Sequence, residues 1–407
     1  MARLVLKFGG TSVGDVERIK NVARKVKAVF EAGNEVAVVV SAMSGVTDSL
    51  VKLVDQISTV KHDDAEYDTV VATGEQVTIG LVALALQQVG LKARSWPSWE
   101  IPIRCDDHHA KARITSIETG PIEESFARGE IAVVPGFQAV DSKGRISTLG
   151  RGGSDTSAVA LAAALKADRC DIYTDVDGVY TTDPRIVEKA RKLDRITYEE
   201  MLELASLGAK VLHTRSVELA MKYRVPVQVL SSFADVPGTM VVDEEAGVED
   251  VLVSGIAYSR GEAKITLVKV ADQPGVAARV FGPLSEAAIN VDMIVQNVSE
   301  DGKTTDMTFT VGRTDLKRAL AVIEGAKKTI GYERVISASD VSKVSVIGVG
   351  MRSHAGIAFT MFKALADKGI NIQTISTSEI KVSVLIAEEY TELAVRTLHT
   401  VYGLDAA

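Results

Sequence analysis

The amino-terminal part of the chain, up to about residue 231, alternates short apolar stretches with longer stretches of helical periodicity. The apolar stretches have the length and composition of strands that are buried on both faces of a sheet. They are residues 3–8, 35–40, 131–134, 171–174 and 226–230. Helices are predicted between them, at about 16–32, at 75–89 and after Ser154. This alternation predicts an α/β domain with a mostly parallel sheet covered by helices.

Small residues follow several of the predicted strands. They occupy positions 9–12, 41–45, 150–154 and 174–178. Because the carboxyl ends of parallel strands meet at one edge of a sheet, these segments are expected to lie close together. Open α/β sheets bind their ligands at that edge. The pattern therefore predicts a ligand site there.

The carboxyl-terminal part repeats itself at an offset of 81 positions, so that 275–277 (Gly-Val-Ala) matches 356–358 (Gly-Ile-Ala). Each copy reads as strand, helix, strand, strand, helix. The first copy has a sixth element at 334–338, whereas a spare strand, 251–258, precedes the first copy. We expect the spare strand to complete the second copy. The predicted parts are a first domain (1–231), a linker that contains proline, glycine and acids (232–249), and two βαββαβ modules. The first module is 263–340, and the second combines 250–262 with 341–407.

The most informative stretch is 148–157, Thr-Leu-Gly-Arg-Gly-Gly-Ser-Asp-Thr-Ser, which leads into an Ala/Leu-rich helix. Glycines before a helix start leave backbone N–H groups free to face an anion, and the helix dipole adds to the attraction. Arg151 suits a bidentate contact with a carboxylate or a phosphate. Asp155 places a negative charge beside it. This combination predicts a site for an anionic substrate that carries an amino group.

Two lysines are candidates for contact with phosphate. Lys7 stands at the end of the first strand beside Gly9 and Gly10, and Lys210 follows another small-residue pair. Each could equally be an ordinary solvated lysine. The chain has neither a P-loop pattern nor the glycine fingerprint of a dinucleotide-binding fold. The second absence argues against a dinucleotide site.

Two further stretches combine charge with helix or strand ends. Residues 171–185 lead from a strand into a loop in which Tyr180 could pack on a base and Arg185 could hold phosphate; the alternative is a solvated acidic loop. The stretch lacks the final glutamate of a calcium loop, since position 186 is isoleucine. Glu75 heads a helix and could accept a substrate ammonium, or it could be a capping acid in the first turn.

Composition narrows the class of protein. The chain has 407 residues, 25% of them charged, and a formal net charge of −8, which argues against nucleic acid or an anionic membrane as its main partner. Cys105 and Cys170 match no metal-ligand spacing, and the six histidines form no ligand pattern, so no metal is assigned to the protein. Neither a secretion signal nor a run of about 18 apolar residues is present. We expect a cytoplasmic enzyme of two or three domains.

Five ordered motifs, taken together, resemble those of the aspartate kinases. They are 7–12 (Lys-Phe-Gly-Gly-Thr-Ser), 41–44 (Ser-Ala-Met-Ser), 73–75 (Thr-Gly-Glu), 150–155 (Gly-Arg-Gly-Gly-Ser-Asp) and 173–180 (Tyr-Thr-Asp-Val-Asp-Gly-Val-Tyr). The repeats near 273–275 and 354–356 resemble the paired ACT domains of that family, so the resemblance covers the whole chain. It implies an amino-acid kinase fold followed by two ferredoxin-like βαββαβ ACT domains. Residues 102–109 depart from the family pattern, which leaves one substrate-side loop open.

The resemblance also implies an activity, the ATP-dependent phosphorylation of the L-aspartate β-carboxylate to 4-phospho-L-aspartate. That reaction is the first step of lysine, threonine and methionine biosynthesis. Mg²⁺ would accompany ATP, and lysine, threonine or both would inhibit through the ACT domains. A homo-oligomer would form through those domains, and Met240 could start a separate tail-only subunit.

By the same resemblance, residues of the first part take specific roles. The catalytic residues would be Lys7, Asp155 and Lys210. The substrate-binding residues would be Thr47, Glu75, Arg151 and Ser154. The ATP-binding residues would be Lys7, Gly9, Gly10, Ser12, Ser41, Thr174, Asp175, Tyr180, Asp183, Arg185 and Lys210.

Regulatory ligands would bind the ACT modules where a strand end meets a helix start. In the first copy the predicted positions are Asp272, Gly275, Val276, Ala277, Asn290, Val291, Asp292 and Gln296. In the second copy they are Ala358, Phe359, Asn371, Ile372, Ser378 and Glu379. Asp272 and Asp292 offer negative charge to an ammonium group, and Gly275 exposes backbone N–H groups to a carboxylate.

Two other functions were weighed against this one. A sister kinase that acts on glutamate or N-acetylglutamate shares the fold class, but the paired repeats and the Lys-Phe-Gly-Gly-Thr-Ser start favour aspartate. A catalytically inactive amino-acid sensor would use the tail alone. The presence of Lys7, Asp155 and Lys210 argues against a sensor.

Overall fold

The computed structural model describes residues 1–58, 63–207, 211–244, 252–298, 302–352, 354 and 356–405. It divides into two units. The first contains Met1–Val179 and Lys192–Gly247, and the second contains Tyr180–Arg191 and Val248–Ala407. Lys210, a predicted catalytic and nucleotide-binding residue, lies outside the described residues.

An eight-stranded sheet forms the centre of the first unit. The strands of this unit are β1 (Arg3–Phe8), β2 (Glu35–Val40), β3 (Ala93–Ser95), β4 (Ile103–Cys105), β5 (Ile114–Ile117), β6 (Ile131–Pro135), β7 (Gln138–Val140), β8 (Ile146–Thr148), β9 (Arg169–Thr174), β10 (Arg195–Thr197), β11 (Val227–Ser231) and β12 (Thr239–Val242). The large sheet has the order β10-β12-β11-β9-β1-β2-β6-β3, and only the β11–β12 pair is antiparallel. A small sheet has the order β5-β4-β7-β8. The predicted, mostly parallel sheet is confirmed.

Helices cover this sheet. They are α1 (Val16–Glu31), α2 (Val46–Ile57), α3 (Asp64–Val71), α4 (Thr73–Gln88), α5 (Gly120–Ala127), α6 (Gly153–Ala164), α7 (Tyr198–Ser206) and α8 (Thr214–Tyr223). The stretch Asp64–Gln88, which includes α3 and α4, is long and apolar enough to cross a membrane by length and composition alone. Half of its most apolar window is buried inside the fold, and Ile79, Val82 and Leu86 pack in the core, as in the core helix of a globular domain.

The predicted linker, 232–249, contains a strand of the large sheet. Residues Thr239–Val242 form β12, which pairs with β11 and with β10. Thr239 and Val241 are buried while Met240 and Val242 are only half-buried, the period of two that a strand requires. Pro237, Gly238 and the acids around this short apolar stretch favour a linker over a strand when the sequence is read alone.

The second unit contains β13 (Gly255–Ala271), β14 (Val291–Val298), β15 (Thr304–Gly312), β16 (Arg334–Ile347), β17 (Thr374–Thr377) and β18 (Lys381–Ala387). Its helices are α9 (Val276–Glu286), α10 (Leu316–Gly325), α11 (Lys327–Ile330), α12 (Ile357–Asp367) and α13 (Thr391–Val401). All six strands form one sheet in the order β14-β15-β13-β16-β18-β17.

Strands β13 and β16 each serve both βαββαβ modules. The first half of β13, 255–259, pairs with the second half of β16, 343–347. The second half of β13, 264–268, pairs with the first half of β16, 334–338. The strand that precedes the first copy therefore pairs with the first strand of the second copy.

Residues 180–191, which the sequence analysis included in the first domain, belong to the second unit. Val187 and Ala190 are part of its apolar core, and Ala190 forms a β-bridge with Asp405. Thr181 is fully buried, and its hydroxyl lies 2.8 Å from Nε2 of the buried His399. These contacts join residues more than 200 positions apart, so no local pattern predicts them.

Candidate active site

The ends of β9, β1 and β2 are adjacent in the large sheet, so the segments that follow them start side by side. Gly9 donates its backbone N–H to the carbonyl of Tyr173 at 3.3 Å, and Ser41 donates its N–H to the carbonyl of Phe8 at 3.1 Å. Gly10, which comes next, approaches the second strand end closely: an added Cβ would lie 3.0 Å from the Ala42 carbonyl oxygen. Three of the predicted small-residue segments thus meet at one edge of the sheet.

Lys7 and Asp155 form an ion pair at this edge. The Lys7 ammonium lies 2.5 Å from Oδ1 of Asp155, and Lys7 is only 8% exposed. Asp155 stands in the first turn of α6, where a helix dipole favours a negative charge. A buried ammonium requires a partner of this kind, because an unpaired charge is costly to remove from water. Two predicted catalytic residues are therefore brought together from strand β1 and helix α6.

The glycine loop before α6 adopts a backbone that needs its glycines. Gly150 and Gly152 have φ angles of +76° and +69°, and Gly152 is the N-cap of α6. A Cβ at Gly152 would lie 2.0 Å from the ring of His213. Arg151, between these glycines, is exposed, and no carboxylate of the described residues lies within ion-pair distance of it. The loop thus presents a cation that is available to an anionic ligand.

Ser154 and Ser12 are more enclosed than their predicted binding roles suggest. Ser154 is 9% exposed and packs against Gly136, where an added Cβ would lie 2.8 Å from its hydroxyl. The Ser12 hydroxyl lies 2.5 Å from that of Ser232, and both residues are buried. Ser12 therefore braces the segment after β1 against the segment after β11.

Glu75 is a buried carboxylate in the first turn of α4. Its Oε1 accepts a hydrogen bond from the backbone N–H of Ala42 at 2.9 Å. Its Oε2 is buried and has no hydrogen-bond partner among the described residues. Burial raises the pKa of Glu75 to about 7. Gly74 permits this approach, since an added Cβ there would lie 2.7 Å from Cβ of Ala42.

The other predicted binding residues fall into two groups. Thr47 is half-buried in the first turn of α2, and Thr174 ends β9, where its hydroxyl donates to Asp175 at 3.1 Å. Tyr180, Asp183 and Arg185 belong to the second unit, where Tyr180 packs against the apolar core and Arg185 forms an ion pair with Asp183 at 2.8 Å. The hydrogen bonds and charge of Arg185 lower the pKa of Asp183.

The predicted regulatory positions lie around the first helix start and the following strand of each βαββαβ module. Gly275 and Gly356 are left-handed N-caps, with φ of +87° and +107°, of α9 and α12, which are both 11 residues long. After these caps, Val276 is buried, Ala277 is exposed, Ala358 is half-buried and Phe359 is 69% exposed. The strand-end positions Asn290, Asp292, Gln296, Asn371, Ser378 and Glu379 are exposed, whereas Asp272, Val291 and Ile372 are half-buried.

Asp292 already has a cationic partner within the chain. Lys343, which is 5% exposed, lies 2.5 Å from Oδ2 of Asp292 and 3.3 Å from Oε1 of Glu262. Burial opposes ionisation of Asp292, but the hydrogen bond and charge of Lys343 lower its pKa overall. An effector ammonium at Asp292 would therefore share that carboxylate with Lys343.

Sequence reasoning missed Arg215, which supports the glycine loop from α8. Its guanidinium donates to the carbonyl of Leu149 and to the carbonyl of Ala112, both at 2.8 Å. Burial lowers the pKa of Arg215. A local motif could not reveal this role, because both acceptors are backbone atoms more than 60 positions away.

Comparison with known proteins agrees with this organisation. Residues 2–231 match the amino acid kinase family, and residues 264–327 and 344–402 each match the ACT domain. These matches define a kinase domain of the amino acid kinase class with two ACT domains.

The full-length relatives are more specific. The chain is 57% identical over 407 residues to the aspartate kinase of Stutzerimonas stutzeri, covering 100% of this chain and 98% of the relative. It is also 57% identical over 408 residues to the aspartokinase of Pseudomonas aeruginosa, with the same coverage. Among solved structures, it is similar to E. coli aspartokinase III in complex with aspartate and ADP, with a TM-score of 0.81, 26% identity and coverage of 98% and 99%. The chain therefore belongs to the amino acid kinase family and, within it, to the aspartate kinases.

Proposed function

We propose that the chain transfers the γ-phosphoryl group of ATP to the β-carboxylate of L-aspartate, with Lys7 and Asp155 at the reacting centre. The observation that carries this proposal is the Lys7–Asp155 pair, a buried ammonium held at the sheet edge among glycine-rich segments. A fixed cation in a site of low polarity stabilises the charge that develops on a transferring phosphoryl group. Asp155 would orient the Lys7 ammonium.

A carboxylate substrate simplifies the chemistry. The β-carboxylate of aspartate is already ionised and nucleophilic at neutral pH, so no side chain has to remove a proton from it. The residues of the chain need only hold the carboxylate in line with the phosphoryl group and neutralise charge.

The remaining groups of aspartate would bind to Arg151 and Glu75. The exposed guanidinium of Arg151 offers two parallel donors to the α-carboxylate. The buried Oε2 of Glu75, which lacks a partner among the described residues, offers an acceptor to the α-ammonium. Thr47 and Ser154 would complete the contacts from the first turns of α2 and α6.

The nucleotide would lie beside the segments after β1, β2 and β9. Backbone groups of Gly9 and Gly10, with Ser41, would face its phosphates, and Thr174 and Asp175 would be near its other end. Ser12, Tyr180, Asp183, Arg185 and Lys210 stay predicted nucleotide-site residues.

The proposed metal is Mg²⁺. No group of three or more His, Cys, Asp or Glu side chains forms a metal site within the described part of the chain. Mg²⁺ in kinases usually binds to nucleotide phosphates, water and one or two carboxylates. The described residues are therefore compatible with an ion that enters the site together with ATP. There it would neutralise phosphate charge.

Regulation by lysine, threonine or both is proposed for the ACT modules. A solved structure of E. coli aspartokinase III in complex with lysine and aspartate, named as its T-state, is similar to this chain with a TM-score of 0.77 and 27% identity. The effector must bind two arrangements of the protein with different affinity to change activity. A homo-oligomer through the ACT modules and a tail-only subunit that starts at Met240 stay predictions, which mass measurement of the purified assembly tests.

The experiment that tests the proposed reaction is a coupled assay of ADP release. Purified protein with ATP and Mg²⁺ is given aspartate, glutamate or N-acetylglutamate, each with and without lysine and threonine. ADP release that occurs with aspartate and not with the other two acids supports the proposal. Release with either of the other two acids at a greater rate would point to a sister kinase.

A further inference from the structure

A buried carboxylate outside the residues assigned so far lies in the middle of α3. Asp68 is 0% exposed, although carboxylates are seldom fully buried. Its Oδ1 accepts a hydrogen bond from the Thr148 hydroxyl at 2.5 Å. Its Oδ2 accepts a bond from the backbone N–H of Ala110 and lies near Nδ1 of His109, both at 2.9 Å. Both oxygens are therefore engaged, each by a different segment of the chain.

The partners of Asp68 connect the two predicted halves of the substrate site. Thr148 ends β8 and precedes Arg151 by three positions. Helix α3 is separated by a single residue from α4, whose first turn holds Glu75. One carboxylate thus links the segment that carries the guanidinium to the segment that carries the ammonium acceptor.

The bond to Ala110 fixes a strained residue against the glycine loop. Ala110 has a φ of +62°, a conformation that costs a residue other than glycine about 1–2 kcal/mol. Its carbonyl oxygen lies 3.2 Å from the place that an added Cβ at Gly150 would take. Backbone strain of this kind persists only where surrounding contacts hold it in place. Asp68 supplies such a contact through the N–H of the same residue.

Arg151 also acts electrostatically on a residue of this helix. Burial raises the pKa of Tyr67, the neighbour of Asp68, and the positive charge of Arg151 acts in the opposite direction. The guanidinium is therefore within electrostatic range of α3. On the other side, Arg215 holds the carbonyl of Leu149, so the loop is anchored from both α3 and α8.

We propose that Asp68 is a positioning residue that sets the separation between Arg151 and Glu75, and so the fit of the α-carboxylate and α-ammonium of the substrate. The proposal rests on the substrate roles given above to Arg151 and Glu75. Asp68 does not contact the substrate; it acts through Thr148 and Ala110. Loss of its bonds would loosen aspartate binding and leave the nucleotide side of the site unchanged.

The test compares Asp68→Asn with Thr148→Val and a matched control. An asparagine has no charge and only one acceptor oxygen, so it cannot accept a hydrogen bond from Thr148 and from Ala110 on separate oxygens as the carboxylate does. We expect the KM for aspartate to rise about tenfold in Asp68→Asn and at least about threefold in Thr148→Val, with kcat and the KM for ATP within about threefold of the parent. In the double variant the rise in KM should be smaller than the product of the two single rises, because both changes act on one shared bond. Glu66→Gln is the control, an exposed acid of the same helix that pairs with Arg145, and its kinetics should match the parent.

The outcomes separate positioning from simple structural support. A structural role would lower the melting temperature and the active fraction, hence the apparent kcat, and leave the KM for aspartate unchanged; that result would overturn the proposal. Thr148→Val decides the question if Asp68→Asn does not fold. Arg151→Lys is assayed in parallel: an unchanged KM there removes the proposed substrate site and this inference with it. A raised KM in Arg151→Lys beside an unchanged KM in Asp68→Asn and Thr148→Val overturns the inference alone.

Discussion

The charged side chains of the candidate site lie in three different environments. Lys7 is buried and paired, whereas Arg151 is exposed. Glu75 is also buried, with one oxygen bonded and the other without a partner among the residues described. The three environments predict three different effects of mutation.

Arg151→Lys should weaken aspartate binding. Lysine keeps the positive charge but loses the planar fork that matches a carboxylate. We expect the KM for aspartate to rise at least about tenfold, which corresponds to about 1.4 kcal/mol or the loss of one charge-assisted hydrogen bond. Steady-state kinetics with aspartate varied at saturating ATP measures it. An unchanged value would remove Arg151 from the substrate site.

Lys7→Met should slow the chemical step. If the ammonium stabilises charge mainly in the transition state, its loss lowers kcat about a hundredfold or more. In Lys7→Met, Asp155 loses its partner, which lowers folding stability. Adding Asp155→Asn to Lys7→Met should restore folding stability without restoring kcat. A fall in ATP affinity alone, with kcat maintained, would show that Lys7 binds ATP and does not act in catalysis.

The KM for aspartate should depend on pH through Glu75. The folded-state pKa of about 7 lies above the usual value of 4.5, so the carboxyl is largely protonated at pH 6 and ionised at pH 8. Only the ionised form attracts an ammonium, so we expect the KM to rise about tenfold from pH 8 to pH 6. Glu75→Gln should have a high KM that no longer varies over this range. A parent KM that is flat between pH 6 and pH 8 would contradict the assignment.

The same shift gives a signed effect on stability. Between pH 4.5 and about 7 the folded protein holds a proton on Glu75 that the unfolded chain releases. The contribution of this group to the free energy of unfolding therefore falls as pH rises through that window and is level above it. Comparison of melting temperatures for the parent and Glu75→Gln isolates it.

The roles of residues that stand in a short motif could be predicted from the sequence. Lys7, Arg151 and Asp155 stand in motifs of six residues, and their roles were inferred from chemistry and resemblance. Asp68 and Arg215 could not be found in that way, because their partners are backbone, hydroxyl and imidazole groups 41 to 103 positions away. The raised pKa of Glu75 likewise depends on burial, which a sequence does not show.

At the scale of elements, the segment 180–191 joins the two units by chain connectivity while packing within the second. Its buried anchor is Thr181, whose hydroxyl meets Nε2 of His399 at 2.8 Å and accepts a bond from the N–H of Arg191 at 3.0 Å. Nδ1 of His399 in turn lies 2.9 Å from Asp405. Because His399 is fully buried, both of its ring nitrogens depend on these partners for their hydrogen bonds.

Thr181→Val should loosen this segment. The change keeps the shape and removes the hydroxyl, which leaves a buried histidine nitrogen and a backbone N–H without their partner, at a cost of about 1–3 kcal/mol. We expect faster hydrogen–deuterium exchange in α13 and in 180–191, measured by mass spectrometry. The control is Thr400→Val, an exposed threonine that bonds Asp405 at 3.3 Å and should leave exchange unchanged. Equal exchange in parent and Thr181→Val would show that the bond does not hold the segment.

Elements with a strong period were predicted within a residue or two, as with 16–32 against α1 and 35–40 against β2. Two departures from the sequence-based expectation concern a short element and a shared one. Strand β12 has four residues among turn formers, and 180–191 follows a strand of one unit but packs in the other. In both, tertiary contacts determined a structure that local propensity left open.

In the whole molecule, effector binding to the ACT modules is expected to change activity in the kinase domain. Gln296 is exposed on β14, and Asp272 follows β13 near Gly275. Gln296→Ala and Asp272→Ala should leave activity without inhibitor within about threefold of the parent. The inhibitory concentration of lysine or threonine should rise about tenfold, a loss near 1.4 kcal/mol. Full parental inhibition in both variants would refute the regulatory site as placed.

Detection of the acyl phosphate itself tests the proposed reaction. Hydroxylamine converts an aspartyl β-phosphate into a hydroxamate, which is quantified by its ferric complex and identified by mass. The parent protein, with ATP and Mg²⁺, should form the β-hydroxamate from L-aspartate and not from glutamate or N-acetylglutamate, and lysine, threonine or their mixture should suppress it. Lys7→Met should reduce the signal about a hundredfold or more. Hydroxamate from another acid in preference to aspartate, or equal signal from Lys7→Met, would contradict the account.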